Sequence, residues 1–138
     1  MAAERPCPAV FITGTDTGVG KTLIASALAR HFTLKGLNVG VMKPIETGVT
    51  NPQELGPDAS LLKWASGSKD PDDLISPYRY KQPLAPCQAA SASQEPIEVD
   101  KIVEAYKTLR QRKDLVLVEG AGGLMVPIRG GYIMSYLA

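Results

Sequence analysis

Apolar runs and helical repeats alternate near the start of this chain. Residues 10–13 predict a buried strand, and residues 21–35 predict a helix that Gly36 ends. Residues 39–43 predict a second strand, which Pro44 stops because it has no N–H to donate to a ladder. The inner face of the helix is predicted at Leu23, Ile24, Ala27, Leu28 and Leu34. This order predicts a right-handed parallel crossover, with the loops after both strands at one edge of the sheet.

The middle of the chain has weaker patterns. Residues 44–57 are rich in Gly, Pro, Thr and Asn and predict a loop, whereas residues 58–65 predict a short helix. Residues 66–96 are rich in proline and predict irregular structure, with a late helix within residues 83–90.

A helix and a third strand follow. Residues 99–111 carry apolar side chains at helical spacing, and residues 115–118 predict a strand that runs into Glu119 and the Gly-rich residues 120–123. Strands separated by helices predict an α/β fold with a mostly parallel sheet flanked by helices. With 138 residues and no internal repeat, the chain predicts one domain, residues 1–138.

Charge and hydropathy exclude several classes of protein. The 15 basic and 14 acidic residues leave a net charge of +1, which gives no long-range attraction to nucleic acid or to an anionic membrane. No run of about 18 apolar residues could span a bilayer. Residues 1–8 lack the apolar core of a signal peptide, so a soluble cytoplasmic protein is expected.

The cysteines and the histidine exclude further chemistry. Cys7 and Cys87 are far apart and belong to no Cys-x-x-Cys pair, so both are predicted to be free thiols. His31 is the only histidine and is predicted to face solvent on a helix. A Ser-His-Asp triad and a histidine-rich metal site are therefore excluded.

The stretch GTDTGVGKT, residues 14–22, has the context of a phosphate-binding loop between a strand and a helix. The usual pattern has Gly six residues before the Lys, but here Thr15 holds that position and the glycine is Gly14, so the loop is one residue longer. N–H groups at the helix start would bind phosphate oxygens. Lys21 would neutralise β- and γ-phosphate charge, and the Thr22 hydroxyl would bind Mg²⁺.

Two carboxylates and a second lysine are expected at the same edge of the sheet. Glu119 ends the third strand, where a Walker-B acid binds magnesium in P-loop enzymes. Asp58 begins a helix, so both a helix cap and a metal ligand remain open for it. Lys43 ends an apolar strand and needs an anionic partner, such as a γ-phosphate, unless its side chain extends to solvent.

Five segments together resemble dethiobiotin synthetases, which are ATP-dependent enzymes of biotin synthesis. They are GTDTGVGKT, VMKPIETG, the segment around Asp58, PLAPCQAA and VEGAGGLMVPI, in the family's order across residues 10–135. The family has the same lengthened phosphate loop. The resemblance implies a P-loop NTPase-type fold, a homodimer, Mg²⁺ as cofactor, and ATP, carbon dioxide and 7,8-diaminononanoate as substrates.

The resemblance also implies roles for individual residues. Nucleotide binding is expected at Gly18, Val19, Gly20, Lys21, Thr22, Leu23, Asp58, Glu119, Gly120, Ala121 and Gly122. Magnesium is expected on Thr22, Asp58 and Glu119, the diamine at Thr17 and Thr47, and catalysis at Lys21 and Lys43. The implied reaction turns one amine into a carbamate, phosphorylates it with ATP and closes the ring with the second amine. No protein nucleophile is required.

The chain departs from the family at three points. Cys87 stands where relatives often have histidine, and Tyr136 where an acidic residue is usual. The sequence stops at Ala138, whereas family members continue through further strands that carry adenine-recognising residues. The family's C-terminal strands are thus expected to be missing, which would expose one edge of the sheet.

Three other functions share this type of fold. A partitioning-type switch ATPase would carry a second lysine early in the loop, where this chain has Thr15 and Asp16. A non-catalytic nucleotide-sensing domain would not need Lys43 and Thr47 together with both acids. A cobyrinate-type amidotransferase synthetase would need a glutaminase domain, which the sequence lacks.

Overall fold

Seven strands and five α-helices make up residues 7–138, the part of the chain that the computed structural model describes. The strands are β1 (Ala9–Gly14), β2 (Val39–Met42), β3 (Ile45–Thr47), β4 (Tyr78–Tyr80), β5 (Leu115–Gly123), β6 (Pro127–Arg129) and β7 (Tyr132–Ile133). The helices are α1 (Lys21–Leu34), α2 (Pro57–Ser66), α3 (Asp72–Ile75), α4 (Pro86–Ser93) and α5 (Val99–Arg110).

The main sheet has β5 at its centre, with β1 and β2 parallel to it on either side. Leu117 of β5 is in register with both Val10 and Val41. The predicted parallel arrangement of β1 and β2, connected through α1, is confirmed, and β5 lies between these two strands. The mostly parallel α/β fold predicted from the sequence is therefore confirmed.

The side chains of β5 alternate between two apolar layers, as the pleat of a strand requires. Leu115 and Leu117 pack with small and branched residues of α1 and α2, whereas Val116 and Val118 pack with α5. Helices thus cover both faces of the sheet. This arrangement explains why residues 115–118 form a continuous apolar run rather than an alternating one.

The predicted inner face of α1 is wrong. Leu23 and Leu34 are 68% and 70% exposed, Ile24 and Ala27 are also exposed, and only Leu28 is partly buried. The buried residues of this helix are Lys21, Ala25, Ser26 and Ala29. Small side chains let α1 approach the sheet and α2 closely. Because α1 carries apolar residues on both faces, helical spacing alone did not distinguish them.

The segments predicted to be irregular contain three short elements. β3 lies inside the predicted loop at residues 44–57, and α3 and β4 lie within residues 66–96. β3 and β4 form a separate parallel pair, with Ile45 opposite Tyr78. Elements of three or four residues are too short to show a period, so the sequence pattern did not reveal them. The late helix was predicted correctly and is α4.

Other predictions from the sequence agree with the described part of the chain. His31 is exposed, and Cys7 and Cys87 are free thiols. β1 is an edge strand of the main sheet, and its Val10 is exposed. Within residues 7–138, no helix is both long and apolar enough to cross a bilayer.

A largely buried ion pair joins the loop after α2 to the residues before β5. Lys113 Nζ lies 2.7 Å from Asp70 Oδ2, and Ser68 also donates a hydrogen bond to this carboxylate. Burial alone would raise the pKa of Asp70, but the bonds from Lys113 and Ser68 outweigh burial and lower it. The pair therefore stabilises the fold above the unfolded-state pKa of Asp70, and this contribution is lost as pH falls through the lower folded-state pKa.

We expect Asp70→Asn to lower the free energy of unfolding by about 1–3 kcal/mol at neutral pH, because a charged hydrogen-bond acceptor is lost. Urea unfolding at neutral pH and at a pH below the folded-state pKa measures this difference, which should vanish in acid. Glu104→Gln is the control, because the Glu104–Lys107 pair is exposed and should contribute little. An equal loss at both pH values would contradict the assignment to charge.

Candidate active site

The phosphate loop joins the end of β1 to the start of α1. Gly18 and Gly20 have φ angles of 71° and 99°, in the left-handed region that glycine adopts at little cost. Gly20 is the N-cap of α1, so the free N–H groups of the first helical turn adjoin the loop. The Lys21 ammonium donates to the carbonyl of Asp16 and thereby lies across the loop. This geometry suits a phosphate bound by N–H groups and one cation.

Four side chains from four separate segments meet beside this loop. Lys43, directly after β2, lies 2.9 Å from Asp58 Oδ2 and 2.8 Å from Glu119 Oε1. The hydroxyl of Thr22 donates to the same Glu119 oxygen at 2.8 Å. Asp58 comes from the first turn of α2 and Glu119 from β5. The parallel crossover brings these strand ends to one edge of the sheet, as the sequence predicted.

Lys43 is a buried cation in this cluster. The residue is 4% exposed, so the alternative of a lysine extended to solvent is wrong. Burial alone would lower the pKa of Lys43, but attraction to Glu119 and Asp58 outweighs burial and raises it. Lys43 has the anionic partners that the sequence predicted, and in the structure these partners are two carboxylates.

The oxygens of Thr22, Asp58 and Glu119 fit a magnesium ion. They are hard donors, and Glu119 Oε2 is buried without a hydrogen-bond partner among the described residues. One lysine faces two carboxylates, which leaves the cluster with negative charge for a metal. Residues 7–138 contain no group of three acidic, His or Cys side chains placed to hold a metal ion. A set of two carboxylates and a hydroxyl suits Mg²⁺, which usually keeps waters and substrate phosphates as further ligands.

One cavity of about 400 Å³ joins the phosphate loop to the charged cluster. All residues predicted for the site line this cavity except Val19 and Gly120. Val19 is half exposed, with its side chain close to Gly14, and Gly120 is buried against Phe11 and Met134. Thr17 and Thr47 also border a neighbouring apolar cleft, which includes Leu84 and Met125. Apart from Val19 and Gly120, the residues predicted to bind nucleotide, metal and diamine are thus brought together.

Glu46 was missed by the sequence reasoning. It lines the cavity, is 3% exposed, and accepts hydrogen bonds from the N–H groups of Asp58 and Ala59 at 2.8 and 3.1 Å. Burial raises the pKa of this carboxyl, and the two N–H groups oppose that effect. Gly56, and not Asp58, is the N-cap of α2, so the interpretation of Asp58 as the cap is wrong. The available signal was an acidic residue three positions after Lys43 in the segment VMKPIETG.

Comparisons with known proteins agree with this geometry. The family model described as "AAA domain" matches residues 8–138. The ATP-dependent dethiobiotin synthetase BioD of Thermodesulfovibrio yellowstonii is 47% identical over 120 residues, which are 86% of this chain and 50% of that protein. The enzyme of the same name from Methanocaldococcus jannaschii is 42% identical over 132 residues, which are 93% of this chain and 59% of that protein. The enzyme of the same name from Bacillus velezensis is 39% identical over 129 residues, which are 92% of this chain and 54% of that protein.

These matches cover most of this chain, which spans between half and three fifths of the length of these relatives. The resemblance to dethiobiotin synthetases inferred from the five segments is confirmed. Because the family model extends over residues 8–138, the chain belongs to the AAA domain family.

Proposed function

We propose that this chain carries the nucleotide and diamine site of an ATP-dependent dethiobiotin synthetase, in which 7,8-diaminononanoate and carbon dioxide form dethiobiotin. The convergence of Lys21, Lys43 and the oxygens of Thr22, Asp58 and Glu119 on one cavity supports this proposal most directly. The identity to enzymes named dethiobiotin synthetase adds support.

The proposed reaction needs cations and positioning rather than a protein nucleophile. One amine adds to carbon dioxide and loses a proton, which gives a carbamate. A carbamate oxygen attacks the γ-phosphorus of ATP and breaks the bond to the bridging oxygen, so that ADP leaves. The second amine attacks the carbamate carbon, closes the urea ring and expels phosphate. Each step moves negative charge that fixed cations stabilise.

The side chains of the cavity have distinct parts in this proposal. The loop N–H groups and Lys21 hold the phosphates, while Lys43 stabilises charge on the transferred phosphoryl group. Thr22, Asp58 and Glu119 would hold Mg²⁺, which would neutralise phosphate charge when bound. Lys43 contacts both of these carboxylates, so the lysine would compete with a bound metal for them.

The apolar cleft beside Thr17 and Thr47 supports binding of the diamine. Leu84 and Met125 line it, and its volume of about 860 Å³ has room for an alkyl chain next to the two hydroxyls.

We include a single domain, a homodimer and a cytoplasmic location in the proposal, as the sequence led us to expect.

Phosphate release tests this function. The chain is incubated with ATP and Mg²⁺, and bicarbonate and 7,8-diaminononanoate are added separately and together. We expect phosphate release only with both additions, and mass spectrometry should detect one dethiobiotin for each phosphate.

The controls separate this function from the alternatives. ATP hydrolysis without either addition would indicate a switch ATPase. ATP binding without phosphate release under any condition would indicate a nucleotide-sensing domain. Either result contradicts the proposed synthetase.

A further inference from the structure

The first turn of α2 obtains its hydrogen-bond acceptors from another part of the chain. The N-cap is Gly56, which has no side chain, and the first helical residue, Pro57, has no N–H. The N–H of Ser60 bonds to the carbonyl of Gly56 at 2.9 Å, as in an ordinary helix. The two remaining N–H groups, those of Asp58 and Ala59, both donate to the carboxylate of Glu46. Glu46 therefore satisfies the donors that a capping side chain usually serves.

The space around Gly56 explains why the cap comes from β3. Gly56 has φ −69° and ψ 173°, an extended conformation open to any residue and typical of serine or aspartate at an N-cap. A Cβ atom on Gly56 would lie against the carboxylate of Glu46, 2.7 Å from Oε2. The carboxylate of Glu46 thus occupies the place of a capping side chain, and glycine at position 56 leaves room for it.

This cap links the Asp58 end of α2 to the short segment that carries Lys43. Lys43 and Glu46 are three residues apart, and Glu46 binds the N–H of the residue whose carboxylate contacts Lys43. The Asp58 side chain is 40% exposed and accepts a hydrogen bond from Lys43, so packing constrains it little. The position of its backbone then determines where its carboxylate lies.

We propose that Glu46 is a positioning residue, which holds the start of α2 so that the Asp58 carboxylate stays in place for the metal of the nucleotide site. Its part in metal binding rests on the proposed function, whereas the cap itself does not. Glu46 is not proposed as a ligand, because each of its oxygens already accepts an N–H.

A thermal unfolding cycle tests the cap. Glu46→Ala should lower Tm because two buried N–H groups lose their acceptor, and Gly56→Ser should lower Tm because the new side chain meets Glu46. In the double variant Glu46→Ala/Gly56→Ser, the serine hydroxyl has both the space and the backbone geometry to cap α2. We expect the double variant to be more stable than Glu46→Ala. If Gly56→Ser lowers Tm equally with and without Glu46, the shared capping position is disproved.

Metal-dependent nucleotide binding tests the positioning. Calorimetry measures the affinity for adenylyl imidodiphosphate in Mg²⁺ and in EDTA. We expect Glu46→Ala to weaken nucleotide binding about tenfold in Mg²⁺ and to change it little in EDTA. Tenfold is about the lower end of the loss of metal affinity seen when a residue that orients a metal ligand is removed. Glu46→Ala should add no further loss to Asp58→Ala, and the double variant with Gly56→Ser should recover the affinity in Mg²⁺.

A matched control separates positioning from lost stability. Leu109→Ala creates a cavity under α5, in the apolar layer opposite α2, and should lower Tm without changing the ratio of the two affinities. A parent chain that binds the analogue equally with and without Mg²⁺, or a Glu46→Ala chain that keeps the parent's ratio, would overturn the positioning role. Absence of dethiobiotin formation, with magnesium-dependent binding intact, would overturn the proposed function alone.

Discussion

Lys43→Met should reduce dethiobiotin formation by about 100-fold or more, because the substitution removes a buried cation from the proposed site of phosphoryl transfer. It should also lower the free energy of unfolding by about 3–5 kcal/mol, since Glu119 would remain buried without its ammonium partner. Steady-state product formation and urea unfolding measure the two effects. Added Mg²⁺ should stabilise this variant more than the parent, because Lys43 no longer competes for the carboxylates.

Two controls isolate the contribution of Lys43. Lys107→Met removes an exposed lysine of α5 and should leave activity and stability unchanged. Leu109→Ala loses a comparable amount of stability and should keep its activity at a temperature where it is folded. A folded Lys43→Met chain with the parent's rate of product formation would contradict the assigned role.

Glu119→Gln should reduce magnesium-dependent activity by at least about 100-fold. Removal of a residue that only supports a metal ligand already lowers metal affinity or activity about 10–100-fold. Glu119→Gln removes the charge of a proposed ligand itself. Glu119 is 1% exposed and accepts hydrogen bonds from both Thr22 and Lys43, so it is the shared acceptor at the centre of the charged cluster. A titration of activity against Mg²⁺ should show a higher half-saturating concentration, while nucleotide affinity in EDTA changes little.

Asp58→Asn provides the comparison for Glu119→Gln. The Asp58 side chain is more exposed and contacts Lys43 alone within the charged cluster, so its loss should be smaller. The expected order of activity is parent, then Asp58→Asn, then Glu119→Gln. If Asp58→Asn lost more activity than Glu119→Gln, the central position of Glu119 would be wrong.

Elements with a clear period or a continuous apolar run were predictable from the sequence. α5 has one apolar face, and residues 115–118 of β5 are apolar throughout because helices cover both faces of the sheet. The buried face of α1 was not predictable, because the exposed Leu23 and Leu34 are more apolar than the buried Ala25 and Ala29. β3 and β4 failed because three residues cannot show an alternation that differs from chance.

The site was predictable where its chemistry is local. The phosphate loop shows its function in consecutive residues, and strand topology brings Lys43 and Glu119 to the same sheet edge. The contact between Glu46 and α2 joins a carboxylate to backbone N–H groups 12 and 13 residues away, and such a contact leaves no side-chain pattern. The sequence predicted an anionic partner for Lys43 but did not identify Asp58 and Glu119, because no rule of spacing connects these residues.

The last residues of β5 have a mechanical consequence. Gly123 is paired with Gly14 at the start of the phosphate loop, and a Cβ atom on Gly123 would lie 3.0 Å from the Gly14 carbonyl oxygen. With so little clearance, neither loop can shift far without displacing the other. We therefore expect the proposed nucleotide and diamine to alter each other's affinity. Thermodynamic linkage makes the two factors equal.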